Sequence, residues 1–383
     1  MPSPLPPVPL SAQTASQALT AQIQATIAHH MGWIPFSHYM EQVLYTPHLG
    51  YYTAGQQKLG RAGDFTTAPE MTPLFGQTLA TQLAQLLPQT AGTLYEFGAG
   101  TGQLAADILE ELARVDALPL RYAIVDLSAD LVARQHQTLS ARIPQWMDRI
   151  HWLTELPATL DGVIIGNEVL DAMPCELIHW TPTPLQRGVA VEHGHFVWED
   201  RPITDPILAS LAQALQPGSP YISEISLSHR AFIRSLAARL TRGAILLVDY
   251  GFPEAEFYHP QRTMGTLMGH YRHHTIEDPF FLPGLSDLTY HVDFTALAIA
   301  GTEAGLDLIG YTTQAQFLIN SGIIHHLEQR DPDHAQRYLP AAAAAQRLLS
   351  PAEMGELFKV IGFGKNITLD WLGFAQGDRC HTL

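Results

Sequence analysis

An open, doubly wound α/β sheet of the Rossmann-like kind is the fold class this sequence predicts, and three observations predict it. Short apolar runs alternate with segments of helical periodicity from about residue 91 to the C-terminus. The first of these runs passes into a helix through a turn of three glycines. Several later runs end in acids and amides, where the strands of an open sheet present groups to a ligand.

The glycine turn organises the rest. Leu94-Tyr95-Glu96-Phe97 has the pattern of a buried strand, and Gly98-Ala99-Gly100-Thr101-Gly102 turns the chain. From Gln103 onward, Leu104, Ile108, Leu112 and Val115 give one apolar helical face. Glycine permits the sharp turn and lets a ligand reach the backbone. The pyrophosphate fingerprint G-x-G-x-x-G wants a glycine where this chain has Gln103. The shorter G-x-G-x-G, with Glu96 ahead of it, suits S-adenosylmethionine, which has no pyrophosphate to seat; such a turn also occurs without any ligand. Arg121 to Val125 reads as the second strand and is followed by Asp126-Leu127, about twenty residues beyond the turn, where a carboxylate can take the ribose hydroxyls of an adenosine. The plainer use of Asp126 is to help cap the helix that Ser128 starts. The expected cofactor contacts are Glu96 to the methionyl amine, the backbone of Gly98, Ala99, Gly100 and Gly102, and Asp126 with Leu127 on the adenosine side.

Residues 150–153 and 161–166 read as the third and fourth strands. The fourth runs into Asn167-Glu168-Val169-Leu170-Asp171-Ala172-Met173-Pro174. An amide and two acids on a tight turn between apolar residues stand where a substrate would sit. Asn167, Glu168 and Asp171 are therefore catalytic candidates, and Asn167 is a cofactor candidate too; helix capping is the alternative for Asn167 and Asp171. Strands at 177–180, 187–191 and 195–198 read as an inserted β-hairpin region, and 206–215 and 228–240 as helices, with Ser223-Glu224-Ile225 leading into the second. Residues 243–251 form the fifth strand, whose Asp249 and Tyr250 join the catalytic candidates, with Glu224 in reserve. Residues 252–288 read as irregular, and their His270, His273 and His274 match no zinc spacing, so no metal is expected. A helix at 293–304, a sixth strand at 306–311, helices to about 348 and a closing strand over 354–363 complete the sheet.

Ahead of the sheet, 14–31 reads as a helix, Ser37 as the N-cap of a helix over 39–44, and 75–87 as a helix leading into the first strand. The long aromatic and turn-rich stretch between them has the character of a functional lid, which adds Gly63, Asp64 and Glu70 to the cofactor candidates. The expected division is a disordered proline-rich tail (1–12), a helical cap or lid (13–90) and a Rossmann-like domain (91–383). That domain carries insertions at about 175–202 and 252–292 and added helices at about 314–350.

Composition narrows the partners. A formal charge of −16 with no lysine- or arginine-rich run argues against nucleic acid. An acidic surface suits a cationic acceptor and serves solubility equally. No apolar run approaches the ~20 residues of a membrane span. Two cysteines cannot make a disulfide framework or a zinc site. The N-terminus has neither the charged region of a signal peptide nor the arginines of a transit peptide, so a cytoplasmic location is expected. Nothing in the residues specifies an oligomeric state.

The alternation of strands and helices, with G-x-G-x-G after strand one and an acid after strand two, resembles the seven-stranded class I S-adenosylmethionine-dependent methyltransferases. A closer resemblance rests on motifs in order: Gly63-Asp64-Phe65-Thr66-Thr67-Ala68-Pro69-Glu70 with Phe75-Gly76, Glu96 to Gly102, Asn167 to Pro174, Val248-Asp249-Tyr250-Gly251, Asp287-Leu288-Thr289-Tyr290-His291-Val292-Asp293-Phe294, and Met354-Gly355-Glu356-Leu357-Phe358-Lys359-Val360. Together they look like the MidA family, whose mitochondrial members are complex I assembly factors that methylate an arginine of a core subunit. The resemblance implies S-adenosylmethionine as cofactor and a protein arginine, on a respiratory-complex-type subunit, as acceptor. Glu168 and Asp171 become the candidate guanidinium clamp. A small molecule or another protein side chain as acceptor, and a non-catalytic assembly chaperone on the same fold, are the alternatives. One departure is that Asp126 stands where the family pattern leads one to expect Glu.

Overall fold

A computed structural model describes residues 5–54, 67–368 and 370–383; Gly63 and Asp64 of the expected lid lie outside the described residues. The chain forms two compact units, each assembled from separated stretches. One takes Met1–Phe65, Leu170–Ala231 and Glu254–Asp293, and the other takes Thr66–Val169, Phe232–Pro253 and Phe294–Leu383. Among the described residues no helix is long and apolar enough to cross a membrane.

The second of these units holds the central sheet. Its strands are β1 (Thr93–Phe97), β2 (Arg121–Val125), β3 (Ile150–Leu153), β4 (Leu160–Asn167), β5 (Leu240–Phe252), β6 (Asp307–Thr313) and β7 (Phe358–Lys365). They lie in the order β6-β7-β5-β4-β1-β2-β3. β3, β2, β1, β4 and β5 are parallel neighbours, and β7 runs antiparallel between β5 and β6. A mainly parallel sheet is covered on both faces, so its strands read as continuous apolar runs. β4 shows this with Val163, Ile164 and Ile165, all buried. The chain leaves β3 at one edge and returns on the far side of β1 as β4, so the strand order reverses between β1 and β4. In open α/β sheets that reversal opens a crevice beyond the carboxyl ends of the strands. Here those ends are level: Phe97 pairs with Val125 and with Gly166, and Gly166 with Leu247.

Two helices buttress the crevice from one face. Pro73–Leu86 starts at Thr72, whose hydroxyl accepts the Leu74 N–H at 3.3 Å. It lies against Gln103–Arg114 so closely that a Cβ on Gly76 would come within 2.6 Å of Asp107 Cβ.

The other unit is built on antiparallel pairing. Trp33–Pro35 pairs with Leu185–Glu192, which also pairs with Glu176–Trp180 and His195–Pro202, and Glu176–Trp180 pairs in turn with Tyr221–Ile225. Helices Leu10–His29 and Phe36–Tyr45 contribute Leu19, Ile23, Tyr39 and Val43 to a core shared with Leu177 and Val189.

Several expected elements differ. The first helix begins at Leu10, earlier than its apolar periodicity suggests. Ser37 is not an N-cap: the helix begins at Phe36 behind Pro35, and the Ser37 hydroxyl donates to Glu176 Oε1 at 2.6 Å. Ser223-Glu224-Ile225 belongs to a strand, disguised by its two polar residues. The Glu224 carboxylate is satisfied there by the Thr266 and Leu267 N–H groups at 2.8 and 2.7 Å and by the Ser223 hydroxyl at 2.9 Å. The stretch read as irregular holds a small antiparallel sheet of Met268–Tyr271, His274–Ile276 and Asp287–Thr289, too short to show a period. Met354–Leu357 is a helical turn, and β7 begins only at Phe358.

The close helix contact gives the first test. Gly76→Leu should lower stability by about 1–3 kcal/mol or more, since overpacking forces off-rotamer side chains and backbone shifts. A denaturant midpoint equal to that of the unaltered protein would show the helices can part freely.

Candidate active site

The crevice side of the sheet begins with β1, which ends in an acid and then turns. Gly98, Gly100 and Gly102 have φ of +65°, +53° and +84°, the left-handed region that residues with a Cβ enter only at a cost. The Gly98 N–H donates to the Val125 carbonyl at 3.0 Å, so the turn stays bound to the end of β2. The Gly102 N–H closes the turn on the Ala99 carbonyl at 2.8 Å, and the helix then starts with Gly102 as an N-cap that has no side chain. Glu70, from the short helix Ala68–Met71, accepts a hydrogen bond from the Thr101 hydroxyl in the middle of the turn.

Beyond β2, Asp126 is held at both oxygens. Its Oδ1 accepts the Ser128 N–H at 2.9 Å and its Oδ2 accepts from Gln135 Nε2 at 2.7 Å. Burial raises its pKa against the lowering effect of those bonds. Gln135 Nε2 also donates to the Gly100 carbonyl at 3.1 Å, and Trp152 of β3 donates to Gln135 Oε1 at 2.9 Å. The helix Ala129–Arg142 is capped by Ser128, as the sequence suggests, with the hydroxyl accepting the Leu131 N–H at 3.3 Å. Leu127 is 82% exposed, an apolar side chain presented to solvent beside the acid. Gln135 is the residue that sequence reasoning missed. The available signal was its place one helical turn before Leu139 on the one buried face of this helix.

Glu96 sits deeper than its position in the motif suggests. It is 1% exposed, and the Tyr122 hydroxyl donates to its Oε2 at 2.8 Å. Burial pushes its pKa up to about 8, the Tyr122 hydrogen bond opposing this and the charge of Asp126 adding to it. Near neutrality the side chain is therefore mostly protonated.

At the end of β4, the Asn167 amide donates to Glu168 Oε1 at 3.0 Å. Asn167 Oδ1 is buried and has no hydrogen-bond partner among the described residues. Glu168 has φ of +53°, in the left-handed region, and its N–H donates to the Val248 carbonyl of β5 at 2.9 Å. A non-glycine residue there costs on the order of 1–3 kcal/mol, which surrounding structure must hold in place. Asp249 is fully buried near the end of β5, and its Oδ1 accepts the Tyr250 N–H at 2.9 Å; the Tyr250 ring meets Phe358 edge-on, 5.4 Å between centroids. Glu96, the glycines, Ala99, Asp126, Leu127, Glu70, Asn167, Glu168, Asp249 and Tyr250 thus belong to one unit.

Asp171 and Glu224 belong to the other unit. Asp171 is buried, and its carbonyl accepts the Tyr290 N–H at 3.2 Å. Tyr52 donates to Asp287 Oδ2 at 3.0 Å, and its hydroxyl is held well above its ordinary pKa by burial, then by the charges of Asp287 and Asp171. Glu224 is committed to the backbone of residues 266 and 267, which gives it a structural occupation. Among the described residues no group of three or more His, Cys, Asp or Glu side chains is placed to hold a metal.

A parallel sheet whose switch point carries a bare glycine turn, and whose next strand ends in an anchored carboxylate, is the frame of a nucleoside-cofactor α/β enzyme. Residues 74–312 match the family described as "Putative S-adenosyl-L-methionine-dependent methyltransferase", and the chain belongs to that family. The crystal structure of a Burkholderia thailandensis protein bound to S-adenosyl-homocysteine is 49% identical, covers 99% of this chain and 100% of its own, and superposes with a TM-score of 0.96. Among curated proteins, "Protein arginine methyltransferase NDUFAF7, mitochondrial" of Danio rerio is 27% identical over 90% of this chain and 88% of its own length. The homolog of Drosophila melanogaster is 28% identical over 91% and 85%. The residues present fit the cofactor: backbone unshielded by side chains at the turn, an anchored acid after β2, and in Asn167 Oδ1 a buried acceptor that has no donor among the described residues.

The state of Glu96 gives the second test. Its pKa is higher in the folded protein than in the unfolded chain, so the stability gained from the neutral form is complete below the unfolded value of about 4.5 and lost as pH rises through about 8. Glu96→Gln, which stays neutral, should therefore gain stability relative to the unaltered protein at pH 9 but not at pH 4. Parallel melting curves at both values would refute a raised pKa.

Proposed function

We propose that this methyltransferase acts on the arginine side chain of a protein, of the respiratory-complex-subunit kind. The observation that carries the reading is Glu168, an acid held in a left-handed conformation at the carboxyl end of β4 and hydrogen-bonded to the Asn167 amide. The names of the curated relatives and the MidA-like motifs support arginine in particular.

Bound S-adenosylmethionine supplies a methyl group made electrophilic by its sulfonium. The chain's own groups do the rest. The backbone at Gly98, Ala99, Gly100 and Gly102 receives the cofactor's amino-acid portion, and Glu96 or the free Asn167 Oδ1 takes its amine. Asp126 accepts from the ribose hydroxyls, and Leu127 covers the adenosine side. An arginine, with a pKa of roughly 12.5–13.8, arrives protonated and delocalised. Glu168 accepts hydrogen bonds from two of its nitrogens and draws the positive charge toward them, which leaves the third nitrogen the better nucleophile. Transfer forms the N–C bond as the S–C bond breaks; the methylated guanidinium stays cationic, held by Glu168, and the one proton shed by the attacking nitrogen, which faces away from Glu168, passes to solvent. Positioning of this sort is worth up to about 7–11 kcal/mol of barrier in favourable systems.

Glu168→Gln keeps the size and loses the charge. It should lower methyl transfer about a hundredfold or more while leaving S-adenosylhomocysteine affinity nearly unchanged in calorimetry. Full transfer by the variant would remove Glu168 from the mechanism. Gly100→Val, which puts a branched side chain on the turn at a positive φ, and Asp126→Ala, which removes a charge-assisted hydrogen bond, should each weaken that affinity at least about tenfold; unchanged affinity in a folded variant would reject the cofactor assignment. The acceptor is tested by incubating the protein with labelled methyl donor and a cell extract, then mapping the label. Label on a protein arginine is expected. Label on another side chain or a small molecule would overturn the arginine reading, and no transfer at all with cofactor bound would favour a chaperone.

A further inference from the structure

We propose that Gln135 is a positioning residue for ribose recognition: its amide pins the Asp126 carboxylate to the glycine turn, and Trp152 fixes which way round that amide lies. The inference rests on the reading of Asp126 as the ribose acceptor.

Every hydrogen-bonding group of the Gln135 amide that faces these elements is engaged. Nε2 gives one hydrogen to the Gly100 carbonyl at 3.1 Å and the other to Asp126 Oδ2 at 2.7 Å, while Oε1 accepts from Trp152 Nε1 at 2.9 Å. The arrangement has a single correct orientation. If the amide were flipped, Oε1 would face two acceptors and Nε2 would face an N–H donor. Trp152 can only donate, so it selects the orientation in which Asp126 receives a hydrogen bond. The Trp152 ring is itself stacked on His136, with centroids 5.2 Å apart and planes 25° apart. The backbone is as tight as the side chain: a Cβ on Gly102 would lie 3.1 Å from Gln135 Cα.

Gln135 is fully buried. Burying an amide costs free energy unless it is hydrogen-bonded, and an apolar side chain of the same length would fill the space without that cost. What the glutamine adds is geometry. Asp126 has one oxygen on the Ser128 N–H and the other on Gln135, which stops the carboxylate from rotating; with the Leu127 N–H as a third donor, the fourth lone-pair site is left for a hydroxyl. The same donor holds down the rise in pKa that burial causes at Asp126.

The test compares two ligands across four proteins by calorimetry: S-adenosylhomocysteine and its 2′-deoxy analogue. The unaltered protein should bind the deoxy analogue roughly tenfold or more weakly, the worth of one hydrogen bond to a charged group. In Gln135→Met the penalty should shrink to about threefold or less, because the acid is no longer aimed. A general loosening would weaken both ligands alike and leave their ratio intact. Trp152→Phe keeps an aromatic ring at this place and removes the donor, and should shrink the ratio too, to a lesser extent; it decides the matter if Gln135→Met does not fold. Asp126→Ala separates the two levels of the argument. If it keeps the full penalty, the ribose reading fails. If it abolishes the penalty while Gln135→Met and Trp152→Phe retain it, the ribose reading stands and the role assigned to Gln135 is overturned.

Discussion

Three residues of left-handed backbone at alternate positions, Gly98, Gly100 and Gly102, are the constraint on which the rest of the site depends. They let the chain leave β1, bind the end of β2 through the Gly98 N–H, and enter a helix within a few residues. Side chains at these positions would strain the backbone. At Gly98 a Cβ would also crowd Val169, 3.1 Å from its Cγ2, in the turn that carries the catalytic candidates. The turn is therefore both the surface proposed to receive the cofactor and the link that ties the end of β1 to the end of β2.

Several acids of this protein are buried, and burial does not by itself mark function. Glu96, Asp126 and Glu224 all have raised pKa values with burial as the first cause. Their partners tell them apart. Glu224 accepts two backbone N–H groups and a serine hydroxyl, the pattern of an acid that holds a loop. Asp126 is tied at both oxygens yet retains a lone pair next to an exposed apolar side chain. Glu96 shares its proton-rich state with Tyr122, so a cationic ligand arriving there would have to displace a proton.

Much of this was legible in the residues. Glycine spacing, the acid after the second strand and the polar turn after the fourth are local signals. They depend on backbone sterics and on the periodicity of a buried sheet, and the sheet carries them in the expected order. Gln135 was not legible, because its meaning lies in partners 35 and 9 residues behind it and another 17 ahead. Ser223-Glu224-Ile225 does lead into a helix, but the strand Tyr221–Ile225 was not legible, because its polar residues are satisfied by a loop some forty residues on in the chain, which no local window contains. The assembly of each compact unit from several separated stretches was hidden for the same reason: a composition scan reads neighbours in sequence, whereas packing joins described residues of the first stretch to 170–231 and 254–293.

The aspartate at 126 can now be seen as half of a fitted pair. The reach from the β2 backbone to the glycine turn is spanned by two side chains meeting end to end, a short acid and a long amide. A longer acid would fill space that Gln135 already occupies and would need a shorter donor opposite it, while a shorter donor opposite Asp126 would leave a gap. In this chain, therefore, the length of the acid sets the length of the amide that can meet it, and neither position can be lengthened alone.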